Sequence, residues 1–469
     1  MRDRLGRRPL YYFQGNEFVV FASELKAILA SGLVEKRIDI VSVDRFLALR
    51  CVPSPDTILQ GIRKVRPGHV LHVDGAALAE KAFAGFEIDS RDYDREVAAE
   101  FLRGHLVAAL EKIPSAALLW SAGIDSAALA ALRPGMVPVH VGLERAWQDE
   151  ARAARESAQW LDLALEYVPA RRLTEETFAK VVRSLDEPVA DASVFPLWLI
   201  FERAAQCNDR VITGHGADEL LGGYPRFRYL QRAHAAQVLV PSLMLQGLLP
   251  ALPPNAIVRR GGRYLAAIRD NAQAYLSLAS VFDREERREL YTDAMIAALG
   301  DHEGPNETIR EHFRSADLTR NVLSLELNVG LPDLLLTSCE HLAAAHGVCI
   351  EFPYLDDELV DFVATLSPAV KFGVRSKPLL RLAMKGILPP NIRLRAQRGF
   401  RIPQSGRLLG LIESVSHRVI TPERVDAAGL FRWPKVEHIM RSASHNVVRR
   451  RQFWALLMFF AWYREVMES

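Results

Sequence analysis

The feature that most constrains the fold is a regular alternation of short apolar strands and helices between residues 116 and 223. Apolar runs that predict strands extend from Ala116 to Trp120, from Val137 to Val141 and from Arg210 to Thr213. Helical segments lie between them, including one from Asp149 to Leu161. Strands that alternate with helices pair in parallel, and ligands bind at the carboxyl ends of such strands. The sequence therefore predicts an α/β fold with a parallel sheet and a binding site at its strand ends.

The regions on either side have a different pattern. Within residues 1–90, short apolar runs flank Gln14-Gly15-Asn16, which predicts a β-hairpin, and a second strand pair brackets Asp74-Gly75. A polar stretch at Ser90–Asp94 then gives way to apolar residues at helical spacing. We therefore predict a β-rich domain at 1–90 and a second domain at 91–469. The chain beyond residue 223 is mostly helical in pattern.

A turn of small residues directly follows the first strand of the alternating region. It reads Ser121-Ala122-Gly123-Ile124-Asp125-Ser126 and precedes a helix predicted from Ala127 to Leu132. Such a turn presents backbone N–H groups and a helix N-terminus to an anion, which fits a phosphate. Asp125 would repel that phosphate unless a divalent cation lies between them. Ser126 or Asp125 could instead simply cap the helix.

A second loop of the same character follows the strand that ends at Thr213. It reads Gly214-His215-Gly216-Ala217-Asp218-Glu219 and offers a second carboxylate, Asp218, to a metal. Two acidic loops at the strand ends of one sheet can hold Mg²⁺ and a pyrophosphate between them. A kinase or GTPase is disfavoured, because the first turn lacks the Lys-Ser/Thr pair of the Walker motif.

These motifs resemble those of the asparagine synthetase family, in its synthetase domain of the PP-loop ATP pyrophosphatase type. Residues 121–126 resemble the family's SGGxDS loop, and residues 214–219 resemble its G(D/E)G(A/S)DE loop. Pro353–Asp356 resemble the family's PFLD, Lys377–Arg381 its KxxLR, and Arg395–Phe400 with Pro403 its RxKxGFxxP. The resemblance implies an α/β, adenine nucleotide alpha hydrolase-like domain with a helical C-terminal part. A β-rich partial Ntn-glutaminase-like domain precedes it.

The resemblance also implies a two-step reaction. A substrate carboxylate attacks the α-phosphate of ATP, and an amine then displaces AMP from the acyl-adenylate. Lys377 would be catalytic by stabilising charge that develops during acyl transfer, and Asp125 and Asp218 would hold Mg²⁺ with pyrophosphate. The residues expected to bind ATP are Leu119, Ser121, Gly123, Asp125, Ser126, Val141, Thr213 and Gly214.

His215 is the main departure from the family pattern. The family has an acidic residue there, or a tyrosine that works with a glutamate in the related β-lactam synthetases. A histidine, which some lasso-peptide cyclases also carry, could accept the proton of the attacking amine near neutral pH. It could also merely hydrogen-bond a phosphate or a carbonyl group. Glu340 is the candidate catalytic partner of His215, with a carboxylate on a helix surface as the alternative.

A second departure lies at Cys349-Ile350-Glu351, where the family has Glu-x-Arg near its acceptor pocket. The substrate is therefore expected to be a small-molecule or peptide carboxylate that need not be aspartate. The leading interpretation is an ATP-dependent amide ligase or amidotransferase. One alternative is a macrolactam- or β-lactam-forming cyclase of natural-product biosynthesis. An alternative of another class is a non-catalytic nucleotide-binding scaffold subunit.

Arg2 stands where glutamine-using members of the family carry a nucleophilic cysteine, and the first cysteine is Cys51. Residues 2–12 resemble the middle of the family's glutaminase domain. We therefore expect the chain to use ammonia or a substrate amine and to show no glutaminase activity. Half of a two-sheet domain would expose strand edges or an apolar face. A separate glutaminase-half subunit, a second copy of the chain or upstream residues would cover it.

Composition argues against several other classes of protein. The 59 basic and 57 acidic residues give a net charge of +2, without the basic excess typical of nucleic-acid binding. Four scattered cysteines predict neither a zinc site nor a disulfide framework and favour the cytoplasm. No run reaches the roughly 18 apolar residues of a membrane span. Val238–Leu252 and Phe453–Tyr463 are instead predicted to be core helices.

Overall fold

A computed structural model describes residues 1–75, 77–85, 91–142, 148–169, 173–224, 270–315, 318–396, 407–444 and 446–468. The N-terminal region contains strands and two helices: β1 (Tyr11–Gln14), β2 (Val19–Ala22), α1 (Leu25–Ala30), α2 (Ile40–Leu49), β3 (Ile62–Lys64), β4 (His69–Asp74) and β5 (Ala77–Ala82). Strands β1 and β2 form the first predicted hairpin, and β3 pairs with the other side of β1. Strands β4 and β5 form the second predicted hairpin. Both hairpin predictions are confirmed.

The alternating region forms the predicted parallel sheet, so the α/β fold class is confirmed. Its elements are α3 (Arg95–Glu111), β6 (Ala117–Leu119), α4 (Ile124–Leu132), β7 (Val137–Gly142), α5 (Gln148–Trp160), β8 (Glu166–Pro169), α6 (Glu175–Ser184), α7 (Val194–Ala204), β9 (Arg210–Ile212), α8 (Ala217–Leu221) and β10 (Cys349–Glu351). The strands pair in parallel in the order β10-β9-β6-β7-β8.

The strand order creates a crevice in the middle of this sheet. Strand β6 comes first in the chain, and its neighbours β7 and β9 lie on opposite sides of it. Connections therefore leave β6 and β9 toward opposite sides, and a gap opens between their carboxyl ends. Pairing of Leu118 with Ile212 sets the two strands in register, so both loops emerge at the same level.

The rest of the described chain is mostly helical, as predicted. Its helices are α9 (Asn271–Ala279), α10 (Arg284–Leu290), α11 (Asp293–Leu299), α12 (Pro305–His312), α13 (Leu318–Leu325), α14 (Thr337–Ala344), α15 (Asp357–Thr365), α16 (Pro368–Lys371), α17 (Pro378–Ala383), α18 (Pro390–Arg393), α19 (Arg407–Val419), α20 (Pro422–Ala428), α21 (Trp433–Ser442) and α22 (Val447–Val466), with a 3₁₀ turn at Pro353–Leu355. A π-helical segment, Glu326–Leu336, joins α13 to α14. It contains Pro332, which has no N–H to donate.

Two long apolar helices lie in the interior. Helix α22 buries Trp454, Phe459 and Trp462, which confirms the core helix predicted at Phe453–Tyr463. Among the described residues, one continuous helix, Arg320–Ala344, is long and apolar enough to span a membrane, but most of its apolar part is buried inside the protein. The helix predicted at Val238–Leu252 lies outside the described residues, as does part of the proposed boundary at Ser90–Asp94.

A buried ion pair links the N-terminal region to the rest of the protein. Lys64 on β3 lies 2.7 Å from Glu187, and the two side chains are only 3% and 7% exposed. Lys64 also donates to the carbonyl of Val52, and the N–H of Ile58 donates to Glu187. Burial raises the pKa of Glu187 against the opposing charge of Lys64. The pair therefore stabilises the protein only while both partners are present.

We predict that Lys64→Met lowers the free energy of unfolding by about 3–5 kcal/mol, because it leaves Glu187 buried without a cation. Urea denaturation of the full chain measures this. Lys112→Met is the matched control, since Lys112 pairs with Asp356 at the water-exposed surface and its loss should change little. Equal loss in the two variants would contradict a structural role for the buried pair.

Candidate active site

The loops that follow β6 and β9 meet at the crevice of the sheet. A Cβ atom added at Gly214 would lie only 3.0 Å from the Cβ of Asp125. Glycine at position 214 therefore permits the two loops to touch. The carboxyl ends of the neighbouring strands thus bring Asp125 and Asp218 to the same place.

The first loop is organised by its own two serines. The hydroxyls of Ser121 and Ser126 lie 3.1 Å apart, and the N–H of Gly123 donates to Ser121 Oγ at 3.1 Å. Helix α4 begins at Ile124, earlier than predicted, and its N-cap is Gly123 without a side-chain cap. The simple capping role considered for Ser126 or Asp125 is therefore wrong. Both residues lie in the first turn of α4, whose N–H groups have no partner within the helix.

Lys377 lies between the two acidic loops. Its backbone is in the left-handed region, with φ of +52°, which is uncommon for a residue with a side chain. The buried ammonium is 2.6 Å from Asp125 Oδ2 and 2.9 Å from Asp218 Oδ1. Burial alone would lower the pKa of Lys377, but the two carboxylates together raise it above its ordinary value. The lysine therefore stays charged.

Asp125 carries a feature that fits a divalent cation. Burial raises the pKa of its carboxyl, against the opposing charge of Lys377. Its second oxygen, Oδ1, is buried and has no hydrogen-bond partner among the described residues. Two carboxylates facing one ammonium leave an excess negative charge, which a cation at Oδ1 would compensate.

The donor set limits the kind of metal. In the part of the chain that the structure describes, no group of three or more His, Cys, Asp and Glu side chains could hold a metal. Mg²⁺ commonly binds one or two carboxylates and takes its other ligands from phosphates and water. Asp125 and Asp218 fit that pattern.

A cavity of about 330 Å³ opens beside the two loops. The predicted residues that line it are Leu119, Ser121, Asp125, Ser126, Val141, Thr213, Gly214, His215 and Asp218. Gly123 is the N-cap of α4, and Lys377 contacts Asp125 and Asp218, two of the carboxylates that line the cavity. We call this space the nucleotide cavity.

His215 faces the same cavity from the second loop. Its ring forms a short hydrogen bond with Thr213 Oγ1, and Cys339 Sγ lies 3.9 Å from Nε2. Burial lowers the pKa of His215, and the negative charges of Asp218 and Asp191 only partly oppose this. The imidazole is therefore neutral near pH 7 and able to accept a proton.

Glu340 does not lie where the sequence led us to place it. Its carboxylate forms a short ion pair with Arg8 of the N-terminal region, whereas the preceding residue, Cys339, contacts His215. Adjacent residues of a helix point in directions about 100° apart, so both cannot face the histidine. The predicted partnership of Glu340 and His215 is not observed. Glu351 is likewise not among the residues that line the nucleotide cavity, and it pairs with Arg210.

A residue without a predicted role, Glu219, also lines the nucleotide cavity. Its buried carboxylate accepts a short hydrogen bond from the Tyr224 hydroxyl. Burial raises the pKa of Glu219 to about 7, with contributions from the negative charges of Asp218 and Glu326. The acidic pair Asp218-Glu219 was visible in the sequence, but only the turn of α8 shows that both side chains reach the cavity.

The later motifs surround the first loop. The Tyr354 hydroxyl donates to the carbonyl of Asp125 at 3.1 Å. Arg395 donates to the carbonyl of Ala122 at 3.1 Å, and Arg381 in turn donates to the carbonyl of Arg395. The later motifs are far from the first loop in the sequence, but in the folded protein their side chains hold its backbone in place. The remainder of the last motif, residues 397–403, lies outside the described residues.

The fold and the site define an α/β protein with two acidic, glycine-containing loops at the carboxyl ends of two adjacent parallel strands. Comparison with known proteins agrees: the asparagine synthase family model matches residues 105–464, and a glutamine amidotransferase domain model matches residues 1–84. The chain belongs to the asparagine synthase family. This is a family of ligases that use ATP.

Individual relatives cover nearly the whole chain at low identity. Asparagine synthetase [glutamine-hydrolyzing] 1 of Bacillus subtilis is 24% identical over 98% of this chain and 74% of its own length. A putative asparagine synthetase [glutamine-hydrolyzing] of Mycobacterium tuberculosis is 26% identical over 98% of this chain and 73% of its own length. Amidase chyE of Penicillium rubens is 23% identical over 94% of this chain and 73% of its own length.

We predict that Gly223→Ala abolishes MgATP binding, because the new Cβ would overlap both Asp218 Oδ1 and Lys377 Cε. Isothermal titration calorimetry of the folded variant measures this. Gly104→Ala on α3 is the matched control, since its new methyl group would meet nothing within 4 Å. Wild-type affinity in Gly223→Ala would contradict the arrangement of Asp218 and Lys377.

Proposed function

We propose that the protein is an ATP-dependent amide ligase that adenylates a carboxylate and then transfers the acyl group to an amine, releasing AMP and pyrophosphate. The observation that carries this proposal is the meeting of Asp125 and Asp218 at one buried lysine, Lys377, at the carboxyl ends of β6 and β9. The geometry of the two loops and the family membership together support the proposal.

The first loop would bind the phosphates. Ser121, Ser126 and the N-terminus of α4 offer hydroxyl and N–H donors at the crevice. Asp125 and Asp218 would hold Mg²⁺, which when bound supplies positive charge against the pyrophosphate leaving group. Lys377 would stabilise negative charge on the oxygens of the reacting phosphate and acyl groups, because its ammonium is fixed and already desolvated.

The second loop would handle the amine. His215 precedes Asp218 in the second loop and lines the nucleotide cavity. Its imidazole is neutral near pH 7, because burial lowers its pKa. A neutral amine that attacks the acyl carbon must lose a proton as the C–N bond forms. His215 would accept that proton. The amine in this proposal is ammonia or an amine borne by a substrate.

The scaffold alternative has less support, because a protein that only binds nucleotide has no use for a buried lysine between two carboxylates. Such an arrangement costs desolvation energy, which fixed positive charge at a reacting group would justify. The cyclase alternative differs from the leading proposal only in which molecule carries the amine.

The deciding experiment is an assay of pyrophosphate release from ATP and Mg²⁺ against a panel of carboxylic acids, with and without ammonium. Acid-dependent release that Asp125→Asn abolishes would support the adenylation step. Amide formation only with ammonium would identify ammonia as the amine. A cyclised product without ammonium would identify a cyclase. Nucleotide binding with no release for any acid would favour a scaffold.

We predict that Lys377→Met lowers kcat for pyrophosphate release by about 10²–10³-fold, because it removes fixed positive charge from the reacting groups. Steady-state kinetics on folded protein measure this. Lys371→Met is the matched control, since Lys371 is also buried but donates to the carbonyl of Val363 outside the site. A similar loss of kcat in the two variants would point to general damage by loss of a buried lysine.

We predict that the acidic limb of the kcat profile for amide formation lies below pH 6.5, the ordinary pKa of histidine. Only the neutral imidazole accepts a proton, and burial lowers the pKa of His215, so activity persists to lower pH than a solvent-exposed histidine would allow. Asp218, Asp191 and Lys377 are the charged groups that act on this ring.

The control for this prediction is His215→Gln. It should lower kcat for amide formation by about 10²–10⁴-fold and remove the acidic limb, while acid-dependent pyrophosphate release persists. An unchanged limb in His215→Gln would show that another group accepts the proton.

A further inference from the structure

The nucleotide cavity has two chemically different sides. Ser121, Asp125 and Asp218 form a polar side at the ends of β6 and β9, where the phosphates and Mg²⁺ would bind. The other side lies at β7, against which helices α5 and α7 pack. These helices contribute apolar residues to it, namely Ala151, Pro196, Leu197 and Ile200. The strand order β9-β6-β7, with about 4.8 Å between neighbouring strands, puts β7 about 10 Å from β9. An ATP molecule with its phosphates at the polar side would therefore have its base at the apolar side.

A polar side chain, that of His140 on β7, also lines the cavity. Only 6% of His140 is exposed. Its Nδ1 lies 2.9 Å from the carbonyl oxygen of Trp120, the residue just before the first loop. Trp120 is itself anchored, because its indole N–H donates to the carbonyl of Ala154 on α5 at 2.9 Å. The imidazole is therefore held in a defined position between β7 and the first loop.

The hydrogen bond to Trp120 determines which ring nitrogen of His140 carries the proton. A carbonyl oxygen only accepts, so Nδ1 is the donor. Burial lowers the pKa of His140, and the positive charge of Arg155 lowers it further, whereas the Trp120 hydrogen bond opposes these effects. The ring is therefore neutral near pH 7, and its Nε2 carries a lone pair.

The Nε2 atom of His140 is available to a ligand. No described residue donates a hydrogen bond to it, since the neighbouring ring of Tyr167 makes only a tilted contact with centroids 6.2 Å apart. Nε2 is nevertheless not one of the fully buried polar atoms that lack a partner. Because His140 lines the nucleotide cavity, a donor inside that cavity can reach Nε2.

A neutral acceptor at the base end of the cavity distinguishes between the two common purines. Adenine has an amino group at C6, which donates hydrogen bonds, whereas guanine has a carbonyl oxygen there, which accepts them. Two acceptors that face each other leave both without a partner, and an unpaired polar group in a buried place is costly. The lone pair of His140 Nε2 therefore favours adenine over guanine.

We propose, resting on the function proposed above, that His140 is a specificity-determining residue that selects ATP by accepting a hydrogen bond at Nε2 from the amino group of adenine. No proton is transferred, and the ring takes no part in adenylation or in amide formation. His140 was not among the residues expected to bind ATP, although it directly precedes Val141, which was. Only its contact with Trp120 shows which nitrogen faces a ligand as an acceptor.

Isothermal titration calorimetry on the full chain with Mg²⁺ tests this inference. The probes are ATP, purine riboside triphosphate, which is ATP without the 6-amino group, and GTP. We expect ATP to bind about tenfold or more tightly than purine riboside triphosphate, because the analogue leaves Nε2 without a donor. GTP should bind more weakly than ATP by at least the same factor.

Variants then assign this preference to His140. His140→Phe keeps a ring and removes Nε2, so it should bind ATP and purine riboside triphosphate with affinities within about threefold of each other. His140→Gln supplies an amide N–H for the Trp120 carbonyl and an oxygen for the base, so it should keep part of the preference. His105→Phe is the matched control, since His105 stacks on Phe362 and does not line the cavity. It should keep the full preference.

Nitrogen-15 NMR of the histidine side chains gives a second readout on the wild-type chain. The Nε2 resonance of His140 is assigned by its absence from the spectrum of His140→Gln. It should shift in the direction of a hydrogen-bonded nitrogen when MgATP binds and stay in place when the Mg²⁺ complex of purine riboside triphosphate binds.

The outcomes separate this inference from the proposed function. A full preference for ATP in His140→Phe overturns the inference, as does equal binding of ATP and purine riboside triphosphate to the wild type. An Nε2 resonance that MgATP does not move overturns it too. The proposed function survives these results if acid-dependent pyrophosphate release from ATP remains. Failure of the wild type to bind ATP would overturn both.

Discussion

The rest of the structure depends on one buried ammonium group held between two carboxylates. Lys377 contacts Asp125 from the loop after β6 and Asp218 from the loop after β9, so three distant segments must meet at one point. A desolvated ammonium without both partners would be costly, and either carboxylate without the lysine would be costly too. The positive φ of Lys377 and the glycine at position 223 are local consequences of that requirement.

The N-terminal region belongs to the same physical unit as the nucleotide site. Leu5 and Tyr11 share one apolar core with β6, β9 and α22. Arg2 is buried, donates to the carbonyl of Val65 and lies 3.7 Å from Asp333 in the π-helical segment. Since Leu335 of that segment lines the nucleotide cavity, residues near the start of the chain help to fix its wall.

Local patterns were sufficient where a feature depends on neighbouring residues. Strand alternation and turn residues predicted the two hairpins, the parallel sheet and the helices that follow its first two strands, because side-chain periodicity follows directly from backbone geometry. The start of α4 was placed too late, since the small residues of its first turn resemble a loop. Glu340 was paired with His215 although its carboxylate meets Arg8, more than 300 positions earlier in the chain. The spacing of neighbouring residues does not show which distant segment a side chain on a helix will contact.

The sequence by itself determined the α/β class, the two acidic loops after parallel strands, and the family motifs that contain Asp125, Asp218 and Lys377. Each of these follows from periodicity or from short motifs, which are local. Only the tertiary structure decided that Lys377 lies between the two carboxylates, that Asp125 Oδ1 has no hydrogen-bond partner among the described residues, and that Glu219 lines the same cavity as Asp218. Those facts depend on distances and burial between segments far apart in the chain, which packing alone sets.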